Sequence, residues 1–96
     1  MARIRVKFIG YLCSLARTRE ITVEVEHPAN LRSVIENAVN SVGGRLKDLL
    51  VDRQTGRLWA PLPIVRVNDR SVAGGYESVV LQEGDTVEML LPLAGG

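Results

Sequence analysis

Residues 3–26 read RIRVKFIGYLCSLARTREITVEVE, and the two ends of this stretch decide the fold. In Arg3–Phe8 the apolar residues Ile4, Val6 and Phe8 alternate with Arg3, Arg5 and Lys7, the period of a strand with one buried face. Ile21–Glu26 repeats the pattern, with Ile21, Val23 and Val25 inward. Antiparallel pairing of Phe8 with Ile21 also sets Arg5 opposite Glu24 and Arg3 opposite Glu26, so a single register satisfies the apolar and the charged face together. Cys13, between the two strands, reads as a small packed residue in the connecting loop rather than a reactive thiol.

Downstream of the pair, HPAN leads into Leu31, Val34, Ile35, Ala38, Val39 and Val42, spaced by threes and fours. That spacing predicts a helix of about three turns with one apolar stripe. Asn30 is its expected N-cap and Gly43-Gly44 its stop. Leu46, Leu49 and Leu50 suggest a further short turn of helix, and DRQTG reads as a turn. Ile64–Asn68 is a short β-rich run closed by the turn formers of NDRS. QEGD introduces the last strand, Thr86–Leu91, with Val87, Met89 and Leu91 on one face and Glu88 and Leu90 on the other. The expected order is strand, strand, helix, strand, strand, an α+β layer with one helix covering a sheet.

The 96-residue chain suits one domain with a single core. Apolar residues make up 46% and charged residues 24%, a balance that predicts a globular rather than a disordered chain. Twelve basic against eleven acidic side chains give a net charge of +1, so no overall field argues for a nucleic acid or an anionic membrane partner. Cys13 is the only cysteine, which excludes an internal disulfide and a CxxC pair. With no signal peptide at the amino end and no run approaching a membrane span, a reducing cytoplasm is the expected setting.

A catalytic constellation is hard to find. There is one His and one Cys, with no HExxH, GxSxG or CxxC. Gly43-Gly44 and Gly74-Gly75 lack the neighbours of a phosphate loop and fit helix ends and turns. His27, before Pro28, reads as a solvated loop residue. Trp59, beside Leu58 and Pro61, reads as a loop side chain packing onto the core. The cations Arg3, Arg5, Lys7, Arg17 and Arg19 read as a solvated strand face rather than a nucleic-acid patch.

What remains is the carboxyl end, LLPLAGG, residues 90–96. Pro92 ends the sheet, and the five residues from Pro92 to Gly96 can reach roughly 17 Å when extended. Gly95 and Gly96 carry no side chain, so their backbone fits a channel too narrow for other residues. The terminal carboxylate is ionised at neutral pH and a poor electrophile. It accepts a nucleophile only after activation, for example as an acyl adenylate made from ATP by a partner. Sulfur attack then yields a thiocarboxylate, and lysine attack an amide. Leu90, outward on the last strand, and Leu93 are docking candidates, with packing at the domain's own edge as the alternative.

The closing segment VRVNDRSVAGGYESVVLQEGDTVEMLLPLAGG resembles the MoaD/ThiS family of ubiquitin-like sulfur carriers, through a strand ending in VN, then LQEGDTVEML, a proline and the terminal AGG. The opening IRVKFIGYLCSLART is similar to that family's first strand and loop. The resemblance implies a β-grasp fold, a mixed sheet on one main helix with the first and last strands adjacent and parallel. It implies a domain over 1–91 with an extended tail over 92–96. It further implies Gly96 as the reactive group, with Gly95, Ala94, Leu93, Pro92 and Leu90 engaging partners. Those partners are an adenylating, ubiquitin-activating-like enzyme that uses ATP and, in the MoaD-like branch, the large subunit of molybdopterin synthase. The chain itself would bind no cofactor. Relatives of that branch often carry two prolines where this chain has Leu91-Pro92, and VDRQTGRLWAPLP matches no motif of the family. A lysine modifier, a carrier for thiamine or another thiolation pathway, and a plain interaction module stay open beside it.

Overall fold

Strand β1 (Ala2–Ile9) buries Ala2, Ile4, Val6 and Phe8 and turns Arg3, Arg5 and Lys7 outward, as alternation requires; the structure, a computed structural model, describes residues 1–59 and 64–91. Strand β2 (Glu20–Val25) pairs with it antiparallel, but with Val6 opposite Ile21, Arg5 opposite Thr22 and Arg3 opposite Glu24. The expected register was therefore displaced by two residues. A one-residue slip would expose every inward side chain, at about 1.5–3 kcal/mol each, so the pattern forbids it. A two-residue slip leaves both faces intact, and the connection then decides. The connection is not a plain loop. Its helix α1 (Tyr11–Ala16) carries Cys13, which is partly buried against the core. Arg17, at φ 61°, closes the helix through its N–H to the Cys13 carbonyl. The chain returns at once, and Phe8 N donates to the Arg19 carbonyl at 2.9 Å. The strand thus begins one residue before Ile21, and Arg5 pairs with Glu20 instead of Glu24.

Two residues, Ala29 and Asn30, form the short strand β3, and Asn30 also caps α2 (Leu31–Val42) by accepting from Ser33 N at 2.8 Å. Leu31, Val34, Ile35, Ala38 and Val39 of that helix are buried against the sheet. Gly43, at φ +69°, donates its N–H to the Val39 carbonyl and ends α2; α3 (Gly44–Leu50) follows directly, burying Leu46 and Leu50. Asp52 then organises the DRQTG turn, its Oδ1 accepting from Gln54 N and Thr55 N. The turn brings Leu58 back opposite Val51. Leu58 packs into the core and Trp59, next in an extended chain, points away and is 63% exposed. This corrects the expectation that Trp59 packs onto the core: alternation allows only one of the two neighbours inside.

Strand β4 (Ile64–Val67) turns through Asn68 and Asp69, both at positive φ, into β5 (Arg70–Val72), an edge strand too short to carry a readable period. A 3₁₀ turn at Tyr76–Ser78 and the two-residue strand β6 (Val80–Leu81), paired with β3, lead to β7 (Thr86–Leu90). The main sheet runs β2-β1-β7-β4-β5, with β1 and β7 parallel and every other neighbour antiparallel. This mixed sheet packed on one main helix is the β-grasp fold. The last strand ends at Leu90, one residue earlier than its alternation suggests, and Leu91 packs partly buried against the core.

The entry to β7 is fastened by side chains. Asn68 Oδ1 accepts from Thr86 N at 3.0 Å while Asn68 Nδ2 donates to Asp85 Oδ1 at 3.0 Å. Asp85 Oδ2 accepts from Gln82 N, and the Asp85 carbonyl accepts from Arg5 N. The VN and QEGD segments, seventeen residues apart at Asn68 and Asp85, thus form one connection that sets where β7 enters between β1 and β4. Among the described residues, no helix is long and apolar enough to cross a membrane.

Candidate functional site

Pairing brings the outward side chains of four strands into rows across the open face of the sheet. One row runs Glu20, Lys7, Glu88, Arg66, with the signs alternating from strand to strand. At one end of it Arg5, a diagonal neighbour, makes a two-pronged contact with Glu20, Nε to Oε2 at 3.0 Å and Nη2 to Oε1 at 3.2 Å. That hydrogen bond, before the weaker pull of the Arg5 and Lys7 charges, lowers the Glu20 carboxyl from its ordinary value, with partial desolvation opposing it. Glu88 Oε1 is covered and stands 3.8 Å from Arg66 Nη1, held by charge without a hydrogen bond among the described residues.

The next row toward the end of β7 is different in kind. Leu90 lies beside Ile9 on β1 and Ile64 on β4, all three half-buried. Gly10, at φ +63°, follows Ile9 and starts α1; a Cβ built there would sit 3.4 Å from Leu90 Cδ1. The absence of a side chain lets the strand turn into the helix without covering Leu90. A depression of about 380 Å³ spans the boundary of the two rows, with Lys7, Glu20 and Glu88 on the charged side and Ile9, Gly10 and Cys13 on the other. Tyr11, first in α1, is 40% exposed next to it in sequence.

Alternation predicts Leu90 outward on the last strand, and it lies on the open face of a central strand, not at an edge of the sheet. Pro92, Leu93, Ala94, Gly95 and Gly96, the other residues singled out from the sequence, lie outside the described residues, as does the proposed division at 91/92 beyond Leu91. The residues that reading missed are Ile9 and Ile64. A signal was present: Ile9 follows Arg3, Arg5 and Lys7 in the outward phase, and Ile64 precedes Arg66 in it, so each strand changes from charged to apolar at one end. His27 is exposed, and Cys13 contributes to the depression without another thiol or imidazole near it among its lining residues.

Ionic contacts on the helical side have a structural character. Glu36 Oε2 accepts from Arg32 Nε at 3.1 Å and from Leu58 N at 2.9 Å, and Arg32 Nη1 reaches Glu77 Oε1 at 2.6 Å. They tie the excursion after α3 and the 3₁₀ turn to α2. The Arg32 hydrogen bond is the main cause that lowers the Glu77 carboxyl below its usual value. Among the described residues, no polar or charged residue is buried in the core. The chemistry that this surface offers is recognition, by an apolar row bordered by fixed charges.

A model of the ThiS family matches residues 6–96. The structure is similar to that of SAMP1, the small archaeal modifier protein 1, from Haloferax volcanii, with a TM-score of 0.77 at 20% identity over 99% of this chain and 100% of that one. Urm1 from Trypanosoma brucei gives a TM-score of 0.70 at 32% identity, covering 98% of this chain and 95% of that one. A chain of the BexX/CysO complex from Amycolatopsis orientalis gives 0.62 at 26% identity, covering 97% and 99%. No curated protein matches the chain in sequence.

Proposed function

The chain belongs to the ThiS family of ubiquitin-like sulfur carriers, and we propose that its working group is the carboxylate of Gly96, which a partner enzyme adenylates with ATP and which then carries sulfur as a thiocarboxylate. The observation that carries this reading is the extent of the family match, which runs through the terminal Gly95-Gly96. In the activating step a Gly96 oxygen bonds to the α-phosphorus of ATP and pyrophosphate leaves. In the second step a sulfur nucleophile forms a C–S bond as the C–O bond to AMP breaks. Pro92–Gly96 supply the thin arm, and the apolar row of Ile9, Leu90 and Ile64 supplies the seat for the partner at the base of that arm. Apolar side chains at the centre of a patch with charges at its border make a protein-docking surface of the ordinary kind.

The proposed destination of the sulfur is a pterin precursor in molybdopterin synthesis, with this chain as the small subunit beside a larger catalytic one. The resemblance of nearly the whole chain to the MoaD/ThiS family supports it, with Leu91-Pro92 as a departure from the MoaD-like branch. A second reading, attachment to lysines through a Gly96 amide, is favoured by the 32% identity to Urm1 and the likeness of fold to a protein named a modifier. Incubation with its native activating enzyme, ATP and a sulfur source separates them. The carrier reading expects the intact mass of one oxygen-to-sulfur exchange at the terminus, and co-purification with a pterin-binding subunit selects molybdopterin. Gly96-lysine linkages in protein isolated from cells, without a thiocarboxylate, would replace it by the modifier reading.

A further inference from the structure

The open face and the chain terminus leave one long element of the sheet without a role. Strand β2 is an edge strand, paired on one side only among the described residues. The Phe8 N to Arg19 O hydrogen bond sets the phase of its ladder: Ile21, Val23 and Val25 turn their backbone groups toward β1, whereas Thr22 and Glu24 turn theirs outward. Neither Thr22 nor Glu24 hydrogen-bonds elsewhere among the described residues. Beside this edge, between β2 and α2, lies a groove of about 450 Å³. Ile21, Val23 and Val42 form its apolar wall, and Asn37 and Ser41 on α2, bonded to each other at 3.4 Å, its polar rim.

We propose that this edge and groove receive an extended segment of a partner protein that adds a sixth strand beside β2, with apolar side chains alternating into the groove and basic side chains facing outward. The backbone groups of Thr22 and Glu24 supply the pairing, as in strand addition generally. The alternation is set by the edge itself, whose inward Ile21 and Val23 adjoin the groove. Charge selects the basic partner. Glu20 is occupied by Arg5, while Glu24 and Glu26 make no ion pair among the described residues, although Arg3 stands opposite Glu24 on β1. Arg17 and Arg19 lie at the other end of the strand, so the free carboxylates mark its C-terminal half. A second copy of this chain is the wrong occupant. Two β2 edges centred on Thr22 would place Glu20 of each against Glu24 of the other, and like charges directly opposite are destabilising.

The test uses the isotope-labelled full chain and a short capped peptide of alternating valine and lysine. Amide shifts at Thr22, Glu24, Asn37 and Ser41 are expected, with the valine–glutamate counterpart about tenfold weaker or more. Glu24→Lys should abolish or reverse that preference. Thr22→Pro removes an outward N–H without cutting the ladder to β1, so binding should be lost while the remaining spectrum is kept. If Thr22→Pro perturbs the fold, the Glu24→Lys preference alone decides. Equal affinity for both peptides, no shifts at millimolar lysine peptide, shifts centred on Ile9, Leu90 and Ile64, or self-association of the free chain would each overturn the proposal.

Discussion

The two ends of β7 are built on opposite principles. At its entry, Asn68, Asp85 and the backbones of Gln82, Thr86 and Arg5 close a set of hydrogen bonds around the turn. At its exit, Leu90 lies between Ile9 and Ile64, a row with no side-chain hydrogen bond among the described residues. Between them Val87 and Met89 are fully buried and anchor the strand to the core. The contrast teaches where the molecule spends directional bonding. The entry must choose one position between two neighbouring strands, and hydrogen bonds discriminate position. The exit is the surface proposed to meet another protein, and apolar area is non-directional and would stay available for that contact.

The contrast is sharpened most by removing what lies beyond the exit. Deletion of Gly95 and Gly96 is expected to abolish any thiocarboxylate or amide formed through the terminus, read by intact mass, while the thermal midpoint is unchanged. Met89→Ala, beneath both ends, should destabilise the fold by about 2–5 kcal/mol in denaturant unfolding, because a fully buried side chain leaves a cavity. At the exit, Leu90→Asp should slow adduct formation with the activating enzyme about tenfold, the worth of roughly one docking side chain, and leave the far-ultraviolet spectrum as it is. At the entry, Asp85→Ala should show the reverse pattern, a loss of about 1–2 kcal/mol in stability with the adduct still formed by the folded fraction. If Leu90→Asp unfolds the chain and Asp85→Ala does not, the proposed division between the two ends is wrong.

The smallest effect concerns the charged row between them. Glu20 has its carboxyl lowered in the folded state, first by the Arg5 hydrogen bond. A group lowered on folding contributes stability above its unfolded value, ordinarily 4.5, and loses that contribution as pH falls through its folded value. Both partners are exposed and screened, so the contribution is modest. Melting curves from neutral pH into the acid range should therefore show a slightly shallower acid decline for Glu20→Gln than for the parent chain, and the difference should shrink at high salt.

Much of the architecture was legible because it rests on periodicity. Leu31, Val34, Ile35, Ala38 and Val39 announce α2, and Asn30 announces its start, since each depends only on neighbours three or four residues away. The inward phases of β1, β2 and β7 were legible for the same reason, at a period of two. The displaced β1–β2 register was not legible. Phe8 opposite Ile21 and Val6 opposite Ile21 bury the same faces, and only α1, hidden in what reads as a loop, separates them. Strands β3, β5 and β6 span two or three residues, too few to show any period.

The end proposed to react is a reading of residues 92–96 alone, a proline followed by small residues and a closing Gly-Gly. The surface proposed to seat a partner belonged to tertiary structure. Ile9, Ile64 and Leu90 are separated by dozens of residues, and nothing local marks them as one row. They meet because β7 inserts between β1 and β4, parallel to the first and antiparallel to the second. Local pattern specifies which side of a strand faces water. Which strands share that side is decided by long-range pairing, and with it the surface that a partner would touch.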